Sequence, residues 1–249
     1  GEMAPEQLDK SGRKELRDYV ESLGLEVAAV CGDLGGHGFT HAGANPDKIE
    51  RSKRIIELAK DLGTSVVTTH LGVVPEDESS PEYIAVRDAC EELGTFADSI
   101  EACLAVETGP EPSERLGRFI RSLPCSGIRV NFDPANLAMV IGEKADDGVR
   151  NIGDLIVHTH AKDGVMIAKT DPAKIYGSFA GDEEGINVNV YFKEVPLGEG
   201  DVEFVPYIAA LQKAGFDGFL TIERETGDDP AADIAKAVGF LQVLLQGDE

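Results

Sequence analysis

The sequence predicts an α/β fold of the (β/α)8 TIM-barrel type, and three observations carry that expectation. Short apolar runs alternate with amphipathic stretches of helical period, the rhythm of a parallel sheet with helical crossovers. Four of the runs end in a carboxylate or an imidazole, and chemistry at the C-terminal ends of strands is the habit of a barrel. The chain has 249 residues and 42% hydrophobic content, enough for one large core. Six strands are read, at residues 25–30, 65–70, 102–107, 128–133, 155–160 and 219–223, where a barrel needs eight. The chain also opens on a helix. It therefore reads as a single domain, 1–249, that is N-terminally incomplete and lacks the first two strands and the first helix.

In order, residues 1–10 hold no apolar run. A helix is expected from about Ser11 to Leu23, with Leu16, Tyr19, Val20 and Leu23 on one face and Gly24 as its stop. Strand 25–30 leads into a Gly-rich stretch, Cys31–Gly43, that carries His37 and His41. Asn45-Pro46 reads as an N-cap followed by Pro at the first helical position, and the helix runs to Gly63. Strand 65–70 points Val66, Thr68 and His70 inward. Ser80-Pro81 caps a helix to about Ser99, and Ser113 caps a short helix ending before Pro124. A helical stretch around Asn136–Ile141 and a short helix precede the strand that ends at His160. Residues Lys162–Glu194 then break the rhythm, with Val188–Phe192 as a small hairpin strand; this segment reads as a lid or as the contact of a homo-oligomer. A turn at Pro196–Asp201, a helix Phe204–Ala214, the strand ending at Glu223 and a helix Pro230–Leu245 close the chain.

With a side-chain period of two, Glu107, Asp133, His160 and Glu223 share the interior side of their strands. The residues of opposite parity, Leu104 and Val106, Val130 and Phe132, Leu155 and Val157, Leu220 and Ile222, face outward onto helices. Three carboxylates and an imidazole converging at strand ends suit a hard-to-intermediate divalent cation. Against this, each is an ordinary salt-bridged acid or core histidine, and Asp133, which precedes Pro134, is a helix cap. His70 and His158 have interior parity; His70 reads either as a substrate contact or as structural, and His158 as core packing. Lys162 and Asp163 orient substrate hydroxyls or form a rim salt bridge. His37 and His41 line a pocket or lie exposed on their loop. Glu199 reads as structural, and Arg224, of outward parity, as the partner of a neighbouring acid.

The net charge is -23, from 46 acidic and 23 basic residues, which opposes nucleic-acid binding and fits a solubilising surface. No run approaches a membrane span of about 20 apolar residues. Cys31, Cys90, Cys103 and Cys125 lack C-x-x-C spacing and read as reduced thiols of a reducing, cytoplasmic compartment.

The pieces Glu107-Thr-Gly, Asn131-Phe-Asp-Pro-Ala-Asn136, His158-Thr-His-Ala-Lys-Asp163, Val195-Pro-Leu-Gly-Glu-Gly-Asp-Val202 and Gly218-Phe-Leu-Thr-Ile-Glu-Arg-Glu225 together resemble the xylose-isomerase-like TIM-barrel superfamily, in its sugar phosphate isomerase/epimerase branch. The resemblance spans residues 8 to 245. It implies one divalent metal ion, Mn2+ first, with Mg2+, Co2+ or Zn2+ as substitutes, held by Glu107, Asp133, His160 and Glu223. It implies an isomerase or epimerase that abstracts a proton next to a carbonyl through a metal-stabilised enediolate, with Glu107 and Glu223 as the paired acid and base. His70, Lys162, Asp163 and His37 are the substrate-binding candidates, and the substrate is a small sugar. The same parts serve a lyase or dehydratase on a keto-sugar or cyclic polyol, and a barrel without two strands serves as a non-catalytic carbohydrate-binding protein. The superfamily's three-zinc nuclease pattern fails here, because Asn136 stands where it needs a His and Tyr191–Pro196 holds no His.

Overall fold

The computed structural model describes residues 3–181 and 187–246. The chain forms two compact units, Gly1–Val106 with Ile120–Val130, and Glu107–Phe119 with Asn131–Glu249.

In the first unit, α1 (Lys10–Ser22) starts on Asp9, whose carboxylate accepts from Gly12 N at 2.8 Å. Its expected apolar face stays open: Leu16 and Val20 are half-buried, while Tyr19 and Leu23 are exposed. The strand expected over 25–30 shortens to β1 (Val30–Cys31), which registers Val30 on Val67 and Cys31 on Thr68 of β2 (Val66–Thr69). Residues 25–29 make no ladder; Thr64 Oγ1 instead donates to Ala28 O at 2.9 Å, and Leu25 is exposed. Between them, α2 (Asn45–Asp61) includes Asn45 as a helical residue, not as its cap. The buried Asn45 carboxamide donates to Phe39 O and Ala85 O, so it ties the preceding loop to the next helix. That helix, α3 (Pro81–Ser99), is capped by Ser80, which accepts from Tyr83 N at 3.1 Å. β3 (Cys103–Glu107) pairs in parallel with β2, and the unit's strand order is β1, β2, β3 and then residues 128–130 of a fourth strand. Ile56, Val67, Val86, Leu93 and Leu104 lie in its buried core.

In the second unit, the end of β3 leads to α4 (Ser113–Ser122), and β4 (Ile128–Phe132) leads to a one-turn α5 (Pro134–Asn136) and a π-helical turn, Leu137–Ile141. α6 (Ala145–Ile152) precedes β5 (Ile156–Ala161). The strand order here is the end of β4, then β5 and β8 (Leu220–Ile222), with His160 opposite Thr221 in a parallel register. α8 (Phe204–Ala214) and α9 (Pro230–Gln246) flank β8 in sequence, and Phe132 stacks on the buried Tyr207 of α8 at 5.5 Å.

The segment after His160 is a separate antiparallel hairpin, β6 (Asp163–Met166) with β7 (Phe192–Val195), enclosing α7 (Pro172–Ala180). The strand expected over Val188–Phe192 is instead a 3-10 turn, Val188–Val190, because the Asn187 side chain accepts from Asn189 N and bends the backbone; pairing begins only at Phe192. The expected lid or oligomer contact falls partly on residues 182–186, which lie outside the described ones. Among the described residues no helix is long and apolar enough to cross a membrane.

Candidate metal centre

Four strand ends in the second unit, at Glu107, Asp133, His160 and Glu223, each deliver one polar group. Thr108 clamps two of these ends together: its hydroxyl accepts from Asp133 N at 2.8 Å and donates to Asp133 O at 3.0 Å. Asp133 caps α5 with Oδ1, which accepts from Asn136 N at 2.9 Å. Its Oδ2 is left for the interior, so the cap and the cluster are two uses of one carboxylate. His160 Nδ1 lies 3.3 Å from that Oδ2, 3.3 Å from Glu223 Oε2 and 3.8 Å from Glu107 Oε1. One donor atom from each of Glu107, Asp133, His160 and Glu223 falls within 4.8 Å of all the others.

Neutral amides hold Glu107: Asn131 Nδ2 donates to Oε2 at 3.1 Å and Asn136 Nδ2 to Oε1 at 2.9 Å. Gly109, two residues on, has φ +146°, and a Cβ there would lie 2.6 Å from Asn136 Cβ and 2.9 Å from the Tyr176 hydroxyl of α7. The Glu-Thr-Gly triplet is thus a ligand, a clamp and a gap. Cations hold Glu223: Lys162 Nζ is 2.8 Å from Glu223 Oε2, 2.6 Å from Glu225 Oε2 and 3.9 Å from Asp133 Oδ2.

The electrostatics follow from this packing. Burial pulls His160 down, but its bonds to Asp133 and Glu223 and the charge of Glu107 outweigh it and hold its pKa at about 10. Burial raises Glu223, yet the His160 bond and the His160 and Lys162 charges bring it to about 2. Burial and the neighbouring His160 charge lower His158 to about 4. Without a metal, an imidazolium and an ammonium therefore balance the carboxylates.

That balance has a sign. The raised His160 contributes stability that is full below its ordinary value of 6.5 and lost as pH climbs through about 10. The lowered Glu223 contributes stability that is full above its ordinary value of 4.5 and lost as pH falls toward about 2. Thermal unfolding of metal-free protein is expected to weaken on both sides of that window, and added Mn2+ to restore the alkaline side. A pH-independent Tm between neutral and strongly alkaline pH would contradict the His160 assignment.

The donor set fits a divalent cation. Three carboxylates and one imidazole are hard-to-intermediate ligands. Their 3.3–3.8 Å spacings from His160 Nδ1 are close to the separation of about 3 Å between adjacent ligands of an octahedral ion with bonds of about 2.1 Å.

Of the residues expected to meet substrate, Lys162 borders the quartet. Asp163 does other work: its carboxylate accepts from the backbone N–H groups of Gly164, Gly198, Gly200 and Val202. A Cβ on Gly200 would come within 2.2 Å of Asp163 Oδ1, so the Gly-Glu-Gly turn is glycine-rich to let the backbone close on this acid. Asp163→Ala is expected to cost about 3 kcal/mol in urea unfolding, since four backbone donors, those of Gly164 and Val202 buried, lose their acceptor. Wild-type stability with lost turnover would return Asp163 to the substrate. His70 and His37 lie in the first unit. His70 Nδ1 is 3.3 Å from Asp33 Oδ2, and its hydrogen bond holds Asp33 below the usual carboxylate range. His37 lies against His41, with ring centroids 4.1 Å apart.

Asn131, Thr108 and Tyr176 carry geometry that the sequence reading did not assign to them. Asn131 has the interior parity of Asp133, two residues away, so period two alone brings it to the cluster. Tyr176 gives no such signal, because only the packing of α7 brings its hydroxyl to Gly109; burial and the Glu107, Glu111 and Asp133 charges push that phenol well up.

Residues 2–244 match the family described as xylose isomerase-like TIM barrel. The L-ribulose-5-phosphate 3-epimerase UlaE of Escherichia coli O157:H7 is 27% identical over 246 residues, covering 94% of this chain and 77% of that protein. The crystal structure of a xylose isomerase domain protein from Planctomyces limnophilus is similar at a TM-score of 0.79 and 25% identity, over 96% of this chain and 83% of that one. A D-tagatose 3-epimerase-like protein shares the fold at a TM-score of 0.72 and 19% identity, over 98% and 87% of the two chains.

Proposed function

The chain belongs to the xylose isomerase-like TIM barrel family, and from that premise we propose that it is a divalent-metal-dependent epimerase or isomerase of ketoses. The observation that carries this is the meeting of the buried Glu107 and the half-buried Glu223 in one cluster, each held by its own donors. Two separately fixed carboxylates suit a proton taken from one face of a carbon and returned to the other. The 3-epimerase activity named for the Escherichia coli relative points to the carbon beside a ketone.

Glu107, Asp133, His160 and Glu223 would hold the ion, Mn2+ first among the candidates. When bound, it would polarise the substrate carbonyl and neutralise charge developing on that oxygen. Glu107 and Glu223 exchange the proton. His160 gives up its own proton to present a bare Nδ1. Asp133 is fixed by its cap. Lys162 turns its ammonium from Glu225 toward a substrate hydroxyl. The four thiols suit a reducing cytoplasm.

Incubation with D-fructose, D-tagatose or L-ribulose and Mn2+ in D2O tests the proposal by NMR. The expected product is an epimer or isomer carrying one solvent deuterium. Loss of water to an unsaturated carbonyl would replace epimerisation with elimination, and no exchange on any ketose would contradict the proposal.

A further inference from the structure

Tyr176 reaches the metal centre from an element that no member of the quartet uses. α7 carries Ile175, which is 2% exposed, and the next residue, Tyr176, is half-buried. The Tyr176 hydroxyl fills the notch left by Gly109: a Cβ there would lie 2.9 Å from the phenol oxygen, 2.6 Å from Asn136 Cβ and 3.4 Å from Asn136 Cγ. Asn136 in turn donates to Glu107 Oε1 at 2.9 Å. The phenol tip therefore sits beside the amide that holds Glu107. A phenol hydroxyl both donates and accepts, so a contact within the protein does not exhaust it.

The charge around this tip selects what it can meet. Glu107, Glu111 and Asp133 act on it with negative charge, and Lys162, which acts with positive charge, is engaged by Glu223 and Glu225. A bound ion would offset the charge of its own ligands and leave that of Glu111, a carboxyl 2% exposed. A phosphate brought here would meet like charge, which costs several kcal/mol when juxtaposed, whereas a hydroxyl carries none.

We propose that Tyr176 is a specificity-determining residue: seated in the Gly109 notch, its phenol hydrogen-bonds a hydroxyl of a non-phosphorylated ketose whose reacting carbon lies at Glu107. This deepens the epimerase reading above and rests on it. If the ring only filled the notch, phenylalanine would fill it as well.

The test measures kcat and KM of Mn2+-loaded wild type and Tyr176→Phe on D-fructose, D-tagatose and L-ribulose, and on D-fructose 6-phosphate, D-tagatose 6-phosphate and L-ribulose 5-phosphate. Wild type is expected to favour a free ketose over its phosphate ester by about 10-fold or more in kcat/KM. Tyr176→Phe is expected to raise KM for that ketose about 2- to 10-fold, the range of one hydrogen bond, with kcat nearly unchanged. A preference for the phosphate ester, or an unchanged KM in Tyr176→Phe, would overturn the proposal. If wild type turns over none of the six sugars, the proposed function fails, and calorimetric titration of both proteins with L-ribulose decides Tyr176 alone. Weaker binding to Tyr176→Phe than to wild type would support its role; equal binding, or none to either protein, would overturn it.

Discussion

Glu223→Gln is expected to lower turnover by about 10²- to 10⁴-fold while leaving the fold in place. The substitution keeps the size of the side chain and one accepting oxygen. It removes the charge that Lys162 and His160 face, and it removes the lone pairs that would take or return a proton. Lys162 keeps Glu225 as a partner, so no ammonium is stranded. A glutamine mimics the protonated acid, so the stability that the lowered Glu223 contributes above its ordinary value of 4.5 is absent at every pH. Deuterium exchange into a ketose reads the first effect and circular dichroism the second. Turnover equal to wild type would remove Glu223 from proton transfer.

Arg224→Leu is expected to cost about 3–5 kcal/mol in urea unfolding, the range for breaking one side of a buried ion pair. Arg224 donates to Glu194 Oε1 at 2.6 Å and to Asp233 Oδ2 at 2.9 Å, with side chains 8%, 6% and 14% exposed. Glu194 Oε1 also accepts from the backbone N–H groups of Glu225 and Thr226. The pair therefore fixes the chain just beyond Glu223, and the variant is expected to lose turnover as well as stability. A change under about 0.5 kcal/mol, the range of ordinary surface substitutions, would contradict this role.

The quartet was legible in the sequence because a strand has a period of two. Once Glu107, Asp133, His160 and Glu223 ended apolar runs, parity placed them on one side and Arg224 on the other. Asp133 looked ambiguous because it is both a cap and a member of the cluster, on different oxygens. What the sequence hid depends on partners distant along the chain. Residues 25–29 are apolar enough for a strand but find no ladder. Asn45 has the chemistry of a cap, yet its carboxamide is used by Phe39 and Ala85. Asp163 follows a ligand motif, and its backbone partners at Gly198, Gly200 and Val202 lie far along the chain. Val188–Phe192 alternates like a strand, and a single Asn187 turn displaces the pairing. In each case local pattern gave the propensity and a tertiary hydrogen bond decided the outcome.

The central claim is that Glu107, Asp133, His160 and Glu223 hold one divalent ion. Elemental analysis of protein purified without chelator tests it most directly. About one Mn, Mg, Co or Zn per chain is expected, falling to near zero in Asp133→Ala. No bound metal even after Mn2+ is added, or three zinc ions per chain, would contradict it.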